Sequence, residues 1–553
     1  MKKIVVFLLS IVFATGLLAD TKQRYVVATR SLVGAARGLT MIREAAGTPE
    51  SEPRAVAAFQ SINGFAADLT DQEVATLRKA PNVRYVEAVE ERHALDIGGE
   101  SAAAIEASNP FAQTVPFGID LVRAREVWPV TRGEAVNVVV IDTGIDYTHP
   151  DLAAVYAGGF NTYDDTNNPL DDNGHGTHVS GTIAAGDNNI GVVGVAPNVK
   201  LYAVKVLDAK GSGTSDKVIA ALDWVLQQKN TLGGHWVVNL SLGSSTPNAA
   251  EREAFGRAVD AGLVICAASG NESTAPLVAP VGYPAAYREV LAIGAVDKDD
   301  AIASFSNQGP QLAVVAPGVS VLSSVRVGTG SIAGVQSDAG TFVGAEITLS
   351  KKGTVTGQFV DCGLGKPEQF PSSVAGKIAL IKRGELTFNA KTHNAVNAGA
   401  IAVIIYNNDT SALTWTLQTD TDPGAATFAW PVTIALSQAD GEMLAARGSG
   451  QITITDRTDD YDVYSGTSMA TPHATGVAAL VWSAAPAISS ADVRQAMLTN
   501  AHDLGASGFD NVFGNGLVDA LSAAKAVAPA RFGVPVTPPP TQPTSKARAV
   551  RHH

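Results

Sequence analysis

The 553-residue sequence predicts an α/β protein: a doubly wound, mostly parallel sheet, preceded by a small α+β unit and interrupted by an inserted β-rich domain. Three observations predict it. From about residue 112 the chain passes through apolar runs, "VNVVVIDTG", "VKLYAVKVL", "WVVNLSLG", "GLVICAASGN", "VLAIGAV" and "LAVVAPG", whose unbroken Val/Ile/Leu character marks strands buried on both faces. Between them stand helical stretches such as "DKVIAALDWVLQQ" and "EREAFGRAVDAG", the alternation that a parallel sheet with crossover helices requires. Between about 325 and 460 a Gly-, Thr- and Val-rich segment breaks this rhythm, and the earlier style then returns.

In chain order, "MKKIVVFLLSIVFATGLLAD" has a Lys pair, a short apolar run over 4–18 and a small Ala19, the layout of a signal peptide spanning 1–19. Export is therefore expected, with cleavage after Ala19. No cysteine follows to take a lipid anchor, and no later segment is long enough to span a membrane. Residues 24–95 read as a βαββαβ unit in which Thr70 and Glu73 form a capping box. Such a unit has one apolar face and is marginal alone, so it needs something to pack against. A linker runs to about 111, the main domain covers 112–528, and the insert 325–460 contains a strand, helix and strand in "VAGKIALIKRGELTFNAKTHNAVNAGAIAVIIYNN". The end, 530–553, is proline-rich and then basic, the composition of a disordered tail. Only Cys266 and Cys362 occur, in different predicted domains, so disulfides do not hold the fold. Lys+Arg 40 against Asp+Glu 53, without a basic stripe carrying interleaved aromatics, argues against nucleic acid as a partner.

Ligands of such sheets bind beyond the carboxyl ends of the strands, and the polar residues there form a set. Asp142 ends "VVVIDTG", where a carboxylate can orient an imidazole. His175 opens a helix in "DDNGHGTHVSG" as a general base, and Ser468 opens another in "SGTSMATPH", where Gly466 permits close approach and the helix dipole favours developing negative charge. Asn271 in "AASGN" has an amide to offer an oxyanion. Singly these are caps and turn residues; their combination is what points to nucleophilic catalysis. His175 and His178 as a metal pair are the weaker reading, because no carboxylate completes a ligand set.

"DTG", "HGTH" and "GTSMATPH" in this order resemble the motifs of the subtilisin-like serine proteases, over roughly 24–528. The resemblance implies a subtilisin-like fold and an endopeptidase in which Asp142 orients His175, His175 takes the proton of Ser468, and Asn271 with the Ser468 N–H stabilises the oxyanion. It implies that Gly211 and Gly213 on one side, and Ser241, Leu242 and Gly243 on the other, sandwich an extended protein or peptide substrate. Gly282 would floor a primary pocket deep enough for Phe, Tyr, Leu or Met. Ser215 departs from the aromatic lid often found in the family. The resemblance also implies structural Ca2+, held by the side chains of Gln113, Asp151 and Asn188 and the carbonyls of Gly186, Ile190 and Val192, all oxygen donors. The acidic run "YDDTNNPLDDNG" is either another calcium loop or a solvated one.

By the same resemblance, 24–95 is the propeptide, an intramolecular inhibitor, and 325–460 a protease-associated domain. The first cut follows either Leu95, at the end of "EERHAL", or Phe111, before "AQTVPFG". A secreted, monomeric, autoprocessed enzyme is expected. The alternative is a catalytically silent exported peptide-binding module on the same fold; its mark would be a lost triad or oxyanion residue, and none is lost.

Overall fold

Apolar runs that cannot face water dominate the chain from Val136 onward, and they assemble into a seven-stranded sheet. The computed structural model describes residues 22–32, 34–46, 56–95, 113–338, 340–409, 415–418 and 427–533. The expected leader, the linker with its Phe111–Ala112 bond and the tail beyond 533 lie outside these residues. The chain divides into two compact bodies: residues up to Val89 with 248–250, and the remainder from Glu90.

The first body is a four-stranded antiparallel sheet in the order Ala57–Phe59, Gly64–Leu69, Gln23–Thr29, Val83–Ala88. Helices Ala35–Ala46 and Asp71–Leu77 belong to the same body, and Val27, Ile42, Phe65, Leu69 and Leu77 form its core. The capping box is present: Glu73 N–H donates to Thr70 Oγ1 (3.3 Å) and Thr70 N–H to Glu73 Oε2 (2.8 Å).

In the second body the strand order is Leu312–Pro317, Leu291–Val296, Leu263–Ala268, His235–Leu240, Val136–Asp142, Lys200–Lys205, Tyr156–Asn161. Every pairing in it is parallel. The chain starts in the middle, at Val136–Asp142, runs to one edge and then to the other, so the order reverses between this strand and His235–Leu240. A crevice opens at such a reversal beyond the carboxyl ends of the strands, and Asp142 and Ser241 stand there. Helix Thr467–Ala484 is buried at all 18 positions, and its stretch Val477–Trp482 is apolar on every side, as a helix through a core must be. Gly118 has to be glycine: a Cβ there would stand 2.2 Å from Nε2 of His473 on this helix.

The insert begins and ends at one place. Val321–Ser324 pairs antiparallel with Tyr461–Tyr464, in register from Val321 opposite Tyr464 to Ser324 opposite Tyr461. Val327 N–H donating to Asp146 Oδ2 (3.0 Å) and Gly328 N–H donating to Asp460 Oδ1 (2.8 Å) secure the exit. Beyond it stands an eight-stranded mixed sheet from Gly330 to Asp459, whose first strand, Gly330–Ser337, also pairs with Gly340–Thr348 and so closes the sheet on itself. Helices Phe388–Asn397 and Gln438–Arg447 complete the insert.

Candidate active site

The strand Val136–Asp142 is buried along its whole length and delivers Asp142, itself fully buried, to the crevice. Asp142 Oδ1 accepts from its neighbour's N–H (2.7 Å, Thr143) and lies 2.7 Å from His175 Nδ1. His175 is the first residue of helix His175–Ala184, entered through Gly174 at φ 122°, a conformation that L side chains rarely adopt. Asp171 secures that entry: Oδ1 accepts from the N–H groups of Asn173 (2.9 Å) and Gly174 (3.0 Å), and Oδ2 from Thr177 N–H (3.0 Å) and Oγ1 (2.6 Å). His178, one turn on, stacks on Tyr464 (centroids 4.4 Å apart, planes 5° from parallel), and its Nε2 meets the Val321 carbonyl at 3.0 Å. Burial pushes its pKa down to about 3, so it stays neutral and serves packing.

Ser468 is the second residue of the buried helix Thr467–Ala484, which packs on the helix of His175. Its hydroxyl donates to Ser241 O (2.9 Å) and accepts from Leu95 N–H (3.1 Å). The Leu95 carbonyl lies between two donors, Asn271 Nδ2 at 2.7 Å and Ser468 N–H at 3.3 Å. The Asn271 amide is held from behind, its Oδ1 accepting from Thr467 N–H (2.9 Å) and Thr467 Oγ1 (2.8 Å). Thr467 was not among the residues the motifs single out; it is visible in sequence only as the letter before the serine.

Leu95 arrives on an extended segment. Glu91–Ala94 is the middle strand of a three-stranded antiparallel sheet, with Ser212–Thr214 on one side and Leu242–Gly243 on the other. Ala94 N–H donates to Gly211 O (2.9 Å) and Leu95 N–H to Ser241 O (3.3 Å). Gly211, Gly213, Ser241, Leu242 and Gly243 thus all line this segment. A Cβ on Gly243 would come within 3.2 Å of Leu95 Cδ1. Gly282 donates to Ser269 O (2.8 Å), and the next residue, Tyr283, exchanges backbone bonds with Ser244. Ser215, in place of an aromatic lid, bonds the segment through its backbone: its N–H donates to Glu90 O (2.8 Å) and its Oγ accepts from Glu90 N–H (3.1 Å).

The six residues expected to hold calcium divide differently. Gln113 Nε2 faces Gly186 O (2.6 Å), Val192 O (3.0 Å) and Asn188 Oδ1 (3.5 Å). Asp151 accepts from Asn188 Nδ2 (2.9 Å) and Val192 N–H (3.0 Å), and the Tyr461 hydroxyl also bonds it. Burial raises the Asp151 pKa, the expected direction for a carboxylate short of positive charge. Three oxygens converging on one amide nitrogen suit a cation, with the Gln113 amide turned to present its oxygen. Ile190 is less engaged: its side chain is exposed and its N–H donates to Asn188 Oδ1 (3.1 Å).

Residues 133–348 match the subtilase family, 355–444 the PA domain and 34–94 the peptidase inhibitor I9 domain. Subtilisin E of Bacillus subtilis (strain 168) is 38% identical over 315 residues, 56% of this chain and 75% of that protein. Subtilisin DY of Bacillus licheniformis is 46% identical over 214 residues, 38% of this chain and 76% of that protein. The crystal structure of the psychrophilic subtilisin-like protease Apa1 from the Antarctic psychrotroph Pseudoalteromonas sp. AS-11 superposes with a TM-score of 0.58 at 32% identity, covering 77% of this chain and all of that one. With this likeness across most of a subtilisin's length and the I9 and PA matches beside it, the chain belongs to the subtilase family of serine endopeptidases.

Proposed function

We propose that the chain is a secreted, calcium-stabilised endopeptidase, made as a zymogen, that cuts itself first after Leu95 and thereafter cleaves proteins after large apolar residues. The observation that carries this reading is the Leu95 carbonyl held between Asn271 Nδ2 (2.7 Å) and Ser468 N–H (3.3 Å). Two donors on one carbonyl oxygen are what an oxyanion hole offers a tetrahedral intermediate.

In this reading the Ser468 hydroxyl turns from Ser241 O towards His175, and Oγ attacks the Leu95 carbonyl carbon while its proton passes to His175 Nε2. Asp142, 2.7 Å from Nδ1, fixes the ring and stabilises the imidazolium that forms. The charge gathered on the Leu95 oxygen is met by Asn271 and the Ser468 N–H. Collapse breaks the bond to Asp96, whose amine takes the proton from His175, and water then releases the acyl group from Ser468. Leu95 is apolar and nearly buried, which suits a pocket without an acidic floor. Between the two candidate bonds, this geometry favours Leu95; cleavage after Phe111 is then a later trimming.

Gln113, Asp151, Asn188, Gly186 and Val192 would hold the calcium ion, with the Ile190 carbonyl completing the set. The ion supplies fixed positive charge that ties Asp151, Gln113 and the 186–192 loop together. Export is supported by the secretory pattern of 1–19, and among the described residues no helix is long and apolar enough to cross a membrane.

The purified protein tests the reading directly. A fluorophosphonate is expected to label Ser468 and abolish casein digestion, and Ser468→Ala is expected to accumulate the unprocessed precursor. Normal processing of that variant, or no labelling of the wild type, refutes it.

A further inference from the structure

One side chain of the docked segment is buried far beyond what main-chain pairing demands. Side chains alternate along a strand, and Glu91 and His93 are exposed whereas Arg92 is wholly buried. Its guanidinium forms a two-point pair with Glu251, Nε to Oε1 at 3.0 Å and Nη2 to Oε2 at 2.7 Å. Nη1 donates to Ser244 Oγ (2.9 Å) and to the Glu91 carbonyl (2.7 Å). Glu251 is itself wholly buried and accepts from the Tyr287 hydroxyl (3.1 Å). Apart from the segment's own carbonyl, every group that receives the guanidinium comes from outside the docked segment.

We infer that Glu251, Ser244 and Tyr287 form a substrate subsite that selects arginine three residues before the residue whose bond is cut, the P4 position when Leu95 is P1. The inference rests on the protease reading and deepens it, for it concerns any peptide the cleft takes. Pairing with Ser212–Thr214 and Leu242–Gly243 uses only backbone groups and is blind to sequence, so selectivity resides in the pockets. A carboxylate at the base of this pocket acts in both directions. Arginine satisfies it in the fork geometry observed, whereas an apolar side chain would leave the buried carboxylate with the Tyr287 hydroxyl but without the guanidinium that neutralises it, and is rejected. Lysine carries the charge without the fork and falls between.

The mature enzyme is assayed on four peptide anilides ending in Ala-Ala-Leu and differing only in the fourth residue from the cut: Arg, Lys, Ala or Leu. Arginine is expected to exceed leucine in kcat/KM by about 30-fold, the scale of charge-assisted hydrogen bonds to a buried group. The ratio is expected to persist at high salt, which screens exposed charges but not buried ones. Glu251→Leu is expected to reverse the preference towards leucine. Equal kcat/KM for arginine and leucine on the wild type overturns the subsite, and that comparison needs no variant to fold. Fluorophosphonate labelling of Ser468 and turnover of the alanine peptide read the protease function separately, so an active enzyme indifferent to the fourth residue refutes the subsite alone.

Discussion

Thr467 offers the sharpest test of how the oxyanion site is built. Its Oγ1 donates to Asn271 Oδ1 at 2.8 Å and accepts from Gly270 N–H at 3.2 Å, while its N–H makes the second bond to Asn271 Oδ1 at 2.9 Å. Thr467→Val keeps the branch and the volume and removes only the hydroxyl. Asn271 then keeps one of its two restraints. A neutral hydrogen bond is worth about 1 kcal/mol, which bounds the loss in kcat at about 5-fold. That is far short of removing the amide itself, worth about a hundred- to a thousand-fold in a subtilisin. The buried Gly270 N–H is left without its acceptor, a stability cost of about 1–3 kcal/mol. The assay is kcat and KM on one peptide anilide, with melting temperature, for wild type, Thr467→Val, Thr467→Ser, Asn271→Ala and the double variant. The expected pattern is a fall in kcat with KM unchanged, rescue by serine, and no further fall in kcat when Thr467→Val is added to Asn271→Ala. A lowered melting temperature with kcat intact, or additive losses in the double variant, would show that Thr467 acts on the fold and not through Asn271.

Two further outcomes follow from other parts of the molecule. Excess chelator should lower the melting temperature, since an ion that binds only the folded state at about a hundred times its Kd adds about 2.7 kcal/mol; Asp151→Asn should shrink that difference, and a melting temperature indifferent to chelator argues against the site. His178 and His473 are held neutral by burial, with pKa values pushed down to about 3 and about 4. The unfolded chain takes up those protons near pH 6.5 and the folded chain does not, so stability is lost as pH falls from about 6.5 towards 4, by about 1.4 kcal/mol per pH unit for each group. Denaturant titrations at stepped pH should show the slope reduced by one proton in His473→Gln, and an unchanged slope removes His473 from the account.

The catalytic sheet was legible because its strands are buried on both faces. Runs such as Val136–Asp142 and Leu263–Ala268 are apolar at nearly every position; the first ends in Asp142 and the second leads, three residues on, to Asn271. Tyr156–Asn161 was not legible: it is an edge strand, and Gly158 and Gly159 interrupt the run. In the insert only Ile378–Lys382, Phe388–Asn397 and Ala402–Tyr406 announced themselves. Gly353–Asp361 is half exposed along most of its length, and its short Thr and Gly side chains leave little pattern. The motif residues of the site stand out as short signatures, yet what surrounds them does not. Arg92 and Glu251 lie 159 residues apart, and neither has a local companion that hints at the other.

The antiparallel tether at Val321–Ser324 and Tyr461–Tyr464 makes the insert a parenthesis in the chain. Because Ser324 and Tyr461 are direct neighbours across that ladder, a two-residue turn could join them as an ordinary hairpin. The chain would then continue into Gly466 and Ser468 with the same register. Removing the domain at that point would keep the ladder, but the catalytic body would lose the Val327 N–H that donates to Asp146 Oδ2 (3.0 Å) and the Asp460 carbonyl that meets His149 Nε2 (2.9 Å), so the parenthesis is stitched to the sentence around it.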